Sequence, residues 1–244
     1  MLLKLPTELR ELILSFLTRK EYKQTVPCKS LLLCKSYLPL KSLSKLPIVQ
    51  LSPLELKKLF IESCEKGNVW LVDKLLIKHK VVDPSYDDNY VIRRASRLGY
   101  LKLVKRLLQD PRVDPSTDFN RAIRLASEYG YLEVVERLLQ DPRVDPSDWY
   151  NNAIREASEN GHLEIVNRLL LDSRVNPSDR VIQVASMNGH LEVVKRLLQD
   201  PRVDPSDDDN FAIQVASING HLEVVKRLLL DSRVDPSTVD NYAI

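Results

Sequence analysis

The chain has 244 residues, of which 43% are hydrophobic and 29% charged, enough for a core and a soluble surface. Its net charge is +2, but residues 1–50 carry nine Lys and Arg against three acidic residues, which indicates a boundary near residue 50. Three cysteines and no apolar run of about 18 residues argue against a disulfide framework and a membrane helix. We therefore expect an intracellular, cytoplasmic protein. The basic head lacks the interleaved aromatics and Gly-rich loops of a nucleic-acid site.

The first predicted element is a helix in the head, written LPTELRELILSFL at residues 5–17. Thr7 can cap it, and Glu8 is well placed in its first turn. This stretch resembles the start of an F-box, whose helix docks on the linker subunit of an SCF ubiquitin ligase. The resemblance implies that the linker contacts are Leu5, Pro6, Leu9, Ile13 and Leu17. The following segment departs from the family, with Pro27 inside it and no downstream Trp. The alternative is a helical head, residues 1–50, that only caps the remainder of the chain.

A repeated sequence motif, referred to below as the DPRVDPS phrase, recurs through the rest of the chain. DPRVDPS begins at residues 110, 141 and 200, DSRVNPS at 172, DSRVDPS at 231, and a weaker HKVVDPS at 79. The steps between these starts are 31, 31, 31, 28 and 31 residues. A fixed period of this size is typical of a stacked repeat array.

One repeat, residues 207–237, shows the predicted local structure. We expect a first helix over Phe211–Asn219 with Ala212, Ile213 and Ala216 on one face, and a second over Leu222–Leu230. Gly220 between them reads as a helix end and tight turn, and all six glycines of the chain share this slot. The apolar stripe of the second helix is expected at residues 222, 225, 228 and 229. The Pro-containing connection comes next, and Val234 is expected to anchor it to the core.

A single repeat cannot bury enough apolar surface to offset the entropy of ordering 31 residues, so the repeats must stack. ASxNGHLEVVKRLL, present at residues 185–198 and 216–229, resembles the core of the ankyrin repeat. The resemblance covers about residues 53–244 and implies an all-α solenoid of stacked helix pairs. We count about six repeats over residues 51–244, with a degenerate first one and a further one truncated after DNYAI. The truncation predicts either a longer array or an exposed last layer. The 31-residue wording is also similar to that of ankyrin proteins from large DNA viruses.

Catalytic and metal chemistry is not predicted. His162, His190 and His221 occupy one slot in three successive repeats, and stacked helices lie about 8–10 Å apart. These side chains therefore cannot share a zinc ion, and we interpret them as structural. No phosphate-binding glycine loop and no exceptional repeat with a nucleophile and base is present, so we expect neither a cofactor nor an enzyme.

The positions at which the repeats differ predict the binding surface. They fall after each Pro-Ser and before each Gly, which in ankyrin proteins are the fingers and the inner-helix ends of the concave face. The residues that we expect to contact a protein partner are Tyr86, Phe119, Glu128, Tyr129, Trp149, Tyr150, Arg180, Met187 and Ile218. The alternative for the aromatic rings, Trp149 included, is packing against the preceding finger. The 28-residue step is expected to leave a notch beside Trp149.

These patterns support two functional hypotheses. The chain is either a substrate receptor, with its head on a ubiquitin-ligase linker subunit and a target on the repeats, or a plain ankyrin scaffold or competitor. Both place a protein partner on the concave face and involve neither nucleic acid nor membrane.

Overall fold

The computed structural model describes residues 52–78, 82–178 and 180–235. Within these ranges the chain forms twelve α-helices and no strand, which confirms the predicted all-helical class. The chain divides between Pro84 and Ser85 into two compact units. None of the described helices is long and apolar enough to cross a membrane.

The first unit contains one described helix pair, α1 (Pro53–Glu65) and α2 (Val69–Lys78). Ser52 caps α1 because its hydroxyl accepts from the Glu55 amide while the Glu55 carboxylate accepts from the Ser52 amide. Pro53 at the first helical position has no amide hydrogen to leave unpaired. A helix pair thus lies where the degenerate first repeat is expected.

The second unit contains five helix pairs within residues 85–235. Their helices are α3 (Tyr86–Arg97), α4 (Leu101–Leu107), α5 (Thr117–Glu128), α6 (Leu132–Leu139), α7 (Asp148–Glu159), α8 (Leu163–Leu170), α9 (Arg180–Met187), α10 (Leu191–Leu197), α11 (Asp207–Ile218) and α12 (Leu222–Leu229). Each first helix packs against the first helix of the next pair, and the second helices pack in the same order. This succession is the predicted stacking of helix pairs.

The core of each repeat of the second unit comes from alanines and an isoleucine or valine of the first helix and from leucines and β-branched residues of the second. In the third pair, Ala153, Ile154 and Ala157 are buried together with Val166 and Leu169. The first-helix face predicted for residues 207–237 is confirmed, because Ala212, Ile213 and Ala216 are buried as well.

The predicted stripe of the second helix in that repeat is partly wrong. Val224 and Leu228 are buried, whereas Leu222 is 60% exposed and Leu229 is 49% exposed. The equivalent of Leu229 one repeat earlier, Leu198, is only 8% exposed. Leu198 lies between two layers, whereas α12 belongs to the last layer that the structure describes.

The glycine between the two helices of a pair serves two purposes. Gly161 has φ +74°, a conformation that glycine adopts without a steric penalty. A Cβ atom on Gly161 would also lie 2.6 Å from Nδ1 of His190, in the next repeat. Gly220 has nearly the same φ, +73°, but nothing lies within 4 Å of such a Cβ. From Tyr131 onward, the ring after the glycine therefore packs on the glycine of the preceding repeat.

The DPRVDPS phrase forms the joint between repeats. Arg143 donates from Nε and Nη2 to the carboxylate of Asp141, at 2.8 and 2.7 Å, and from Nη1 to the Val113 carbonyl of the preceding repeat, at 2.7 Å. Val144 is buried, and its own carbonyl accepts from Arg174 in the next repeat at 2.7 Å. The buried valines of the connections, Val234 included, confirm the predicted anchor.

The same pair recurs in the five joints from Asp110 onward. Its members are Asp110–Arg112, Asp141–Arg143, Asp172–Arg174, Asp200–Arg202 and Asp231–Arg233. Hydrogen bonds from each arginine hold the pKa of its partner aspartate below the ordinary value. The repetition in the sequence thus encodes contacts between successive layers.

Candidate partner-binding surface

Each full-length finger that the structure describes contains one left-handed turn, which lies within the first residues of the ranges given for α3, α5, α7 and α11. In four repeats, three consecutive residues that are not glycine have φ between 50° and 61°. They are Asp87–Asn89, Asp118–Asn120, Trp149–Asn151 and Asp208–Asn210. The turn closes on itself, because the amide of Asn151 donates to the Ser147 carbonyl at 2.9 Å, as Asn210 does to Ser206. The left-handed conformation costs roughly 1–2 kcal/mol per L-residue, so other contacts must hold it.

The asparagine that ends each left-handed turn supplies part of that support. The side-chain oxygen of Asn120, which is buried, accepts from the Asp145 amide of the next repeat at 2.9 Å. Asn89, Asn151 and Asn210 make the equivalent bond. Asparagine also tolerates this backbone conformation better than most residues. The finger is therefore tied to the next joint along the chain.

The 28-residue step removes this turn as a unit. Alignment of NPSDRVIQ at residues 176–183 with DPSDDDNFAIQ at 204–214 shows that the missing residues are the equivalents of Asp208, Asp209 and Asn210. These are the left-handed residues of the later finger. The helix α9 accordingly begins at Arg180, directly after the shortened finger.

Trp149 packs toward the preceding repeat. Its ring stacks on that of Phe119, with centroids 6.2 Å apart, and the guanidinium carbon of Arg124 lies 4.1 Å from its centroid. Arg124 is itself buried, and this burial lowers its pKa. Trp149 remains 51% exposed, so one part of the ring is packed and another is open. The alternative interpretation, in which the ring packs against the preceding finger, therefore accounts for the buried part of Trp149.

Tyr150 is the most exposed aromatic residue of the described surface, at 89%. It occupies in its finger the position that Phe119 occupies one repeat earlier. The ring of Phe119 is met by Trp149, which is the first left-handed residue of the next finger. The corresponding residue after Tyr150 is among the three that the shortened finger lacks.

The ends of the first helices carry the remaining exposed side chains. Arg97 lies over the ring of Tyr129 at 5.1 Å from its centroid, and the tyrosine stays exposed. Met187 and Ile218 are the last residues of α9 and α11, and both are exposed. Along this row the residue two before the glycine changes from Arg97 through glutamates to these apolar side chains.

The other predicted contact residues occupy the same two zones. Tyr86 begins α3 and Arg180 begins α9, and both are exposed, whereas Glu128 is half-buried at the end of α5. The residues predicted to contact a ligase linker subunit, Leu5 to Leu17, lie outside the described residues. The structure brings Phe119 and Trp149 of neighbouring fingers together and distributes the others over the five repeats of the second unit.

The histidines have a structural role. Nε2 of His162 donates to the Glu128 carbonyl at 3.0 Å, and Nε2 of His190 and His221 bond in the same way to Glu159 and Met187 of their preceding repeats at 2.9 Å. Each ring thus joins two layers, as interpreted from the sequence. No group of three or more potential metal ligands occurs among residues 52–78, 82–178 and 180–235.

Several contributors to this surface are not predicted from the sequence. The left-handed turns are one, although Asp-Asp-Asn at residues 87–89 and 208–210 has the composition that such turns favour. Arg93 is a second contributor that is not predicted. It donates to the carbonyls of Asp87 and Asp88 and to the Asp118 carboxylate of the next finger. Its recurrence as Arg124 and Arg155 is the signal that could have found it.

Comparison with known proteins identifies the repeat. A family model described as ankyrin repeats, three copies, matches residues 92–180 and again residues 154–240. A search of curated proteins found no match. The two matched ranges together include the whole of the finger and first-helix surface from Ile92 onward.

Proposed function

The chain belongs to the ankyrin repeat family, whose repeats are protein–protein interaction modules, and from this premise we propose that it binds a protein partner on the face formed by its fingers and first-helix ends. One observation carries this proposal. The joint contacts recur in the five repeats of the second unit, whereas the exposed side chains of this face change from repeat to repeat. Exposed aromatic and apolar side chains at such positions are typical of interface anchors.

The experiment compares two faces of the same protein. The full chain is used as bait in a eukaryotic cell lysate. Cross-linking mass spectrometry then identifies the proteins attached beside the fingers. Tyr129→Ala, Met187→Ala and Ile218→Ala together should abolish the specific capture. Lys105→Ala with Glu136→Ala, on exposed second-helix positions, is the matched control and should retain it. Loss with the control but not with the triple variant would contradict the proposal.

We also propose that the head directs the bound partner to a ubiquitin ligase. The resemblance of residues 5–17 to an F-box supports this role, and it divides the chain into a head of residues 1–50 and an array of residues 51–244. The similarity of the repeat wording to ankyrin proteins of large DNA viruses supports a viral source, with the host-cell cytoplasm as the site of action.

A binding assay with the full chain distinguishes the receptor from a plain scaffold or competitor. The wild-type chain should capture the SCF linker subunit, and Leu9→Asp with Ile13→Asp should lose it while keeping the array partner. Absence of linker binding by the wild-type chain would leave the scaffold as the proposed role.

A further inference from the structure

The shortened finger leaves an unfilled position between two full fingers. Tyr150 is on one side, without the ring that meets Phe119 in the preceding pair of fingers. Asp207, Asp208 and Asp209 are on the other side, all exposed. Neighbouring first helices pack about 8–10 Å apart, so the tips on either side of the shortened finger are about 16–20 Å apart.

The acidic finger lacks the positive charge that supports earlier fingers. Arg93 and Arg124 donate to finger carbonyls in their own repeats, whereas Gln214 takes this position and donates to the Asp209 carbonyl at 2.7 Å. In the part of the chain that the structure describes, the carboxylates of Asp207, Asp208 and Asp209 make no hydrogen bond or ion pair. The equivalent residue of the shortened repeat, Gln183, is neutral as well.

The charges around this gap favour a positively charged ligand. Against the three aspartates stands the exposed Arg180, while Arg155 of the preceding repeat is paired with Glu156 and Glu159, so the balance of these described charges is negative. A tyrosine ring face attracts a guanidinium, and this attraction adds to that of the carboxylates. An acidic segment would be repelled by the three aspartates.

We propose that the gap left by the shortened finger binds an arginine-containing extended segment of the partner protein. One arginine stacks on Tyr150 in the place of the missing finger residue, and a second basic residue reaches Asp208 and Asp209. This inference rests on the proposed function of the face and names the chemistry of its partner. It also explains why the three-residue deletion and the loss of the resident arginines occur in adjacent repeats.

The test uses the full chain and a defined probe. The probe is a fluorescein-labelled peptide with arginine at every third residue, which places arginines about 10 Å apart in an extended chain. Fluorescence anisotropy at low ionic strength gives its Kd. Tyr150→Ala should weaken binding about three- to tenfold, and Asp208→Asn with Asp209→Asn should weaken it by a similar factor. The same peptide with glutamate in place of arginine should not bind.

Two matched controls test the position of the site. Asp87→Asn with Asp88→Asn changes the same Asp-Asp-Asn tip in a finger that adjoins another full finger, and it should alter Kd less than about twofold. Insertion of Gly-Gly-Asn between Asp179 and Arg180 restores the 31-residue step without adding charge, and it should abolish binding. Thermal unfolding checks that each variant is folded.

Failure of the inference has a distinct outcome. Equal loss at the two Asp-Asp-Asn tips, or full binding after the insertion, would overturn the arginine site. Partner capture that depends on Tyr129, Met187 and Ile218 would then still support the proposed function.

Discussion

The joints between repeats and the tips of the fingers, where the left-handed turns lie, are a few residues apart in the chain. The joints keep the same residues from repeat to repeat, whereas the tips do not. Each of the five joints from Asp110 onward contains an aspartate–arginine pair and a buried valine. The residue at the middle of each left-handed turn is instead Asp88, Phe119, Tyr150 or Asp209. Constancy therefore marks the contacts that stack the repeats, and variation marks the side chains that are left for a partner.

The largest expected effect separates an internal glycine turn from the last described one. Gly161→Ala must adopt a left-handed backbone and also displace His190, so we expect a loss of about 3 kcal/mol. Gly220→Ala has the same backbone problem but an open space, so we expect about 1 kcal/mol. Urea unfolding of both variants measures the difference. Equal losses would mean that packing of the ring on the glycine contributes nothing to the free energy of unfolding.

Removal of one joint arginine should have a somewhat smaller effect. Arg143→Ala leaves the buried Asp141 carboxylate and the Val113 carbonyl without their donor, and we expect a loss of about 2–3 kcal/mol. Arg121→Ala removes an exposed ion pair with Asp118 and should cost about 0.5 kcal/mol or less. The urea midpoints of the two variants test this ranking, and similar midpoints would contradict it.

Acid should weaken the joints between repeats. The five joint aspartates have lowered pKa values in the folded protein. Their contribution is therefore complete above the ordinary pKa of about 3.8–3.9 and is lost as the pH falls through the folded-state values. We expect the urea midpoint to decrease steadily below about pH 5.

Asp141→Asn supplies the control for this pH dependence. The variant should be less stable than the wild type at pH 7 but should lose less on acidification, because one of the five titrating groups is gone. An unchanged loss between pH 6 and 3 would show that the joints do not cause the acid sensitivity.

The smallest effect is expected at a tip. Tyr150→Asn places a residue that tolerates φ 60° at an exposed position, so stability should stay the same or rise by about 0.5 kcal/mol. Calorimetry measures the change in Tm, with Tyr150→Ala as the reference for loss of the ring alone. A clear decrease would mean that the tyrosine stabilises its finger, and the contrast between joint and tip would not extend to this residue.

The sequence is sufficient for the helix pairs, the glycine turns and the buried valine of each connection. These features depend on local rules, namely apolar spacing, helix termination at glycine and the restriction at proline. The same rules locate the deleted finger from the 28-residue step, before the position of any atom is considered.

The rest depends on contacts between repeats. Trp149 is expected beside the notch, but its stacking on Phe119 and its position over Arg124 require the relative placement of two fingers. The buried stripe predicted to include Leu229 is wrong there because helix periodicity cannot tell whether a further layer covers that side. Left-handed backbone at Trp149 and Tyr150 has no local signal, since aromatic residues seldom adopt it.

The joint bonds connect each repeat only with its neighbours. Arg143, Arg174, Arg202 and Arg233 each reach a valine carbonyl of the repeat before their own. Under mechanical tension such a chain should peel one layer at a time. Each rupture would release about 100 Å of contour for a 31-residue repeat, and about 10 Å less for the 28-residue one. The repeat with the shortened finger would therefore be recognised in a force–extension trace by its smaller extension step.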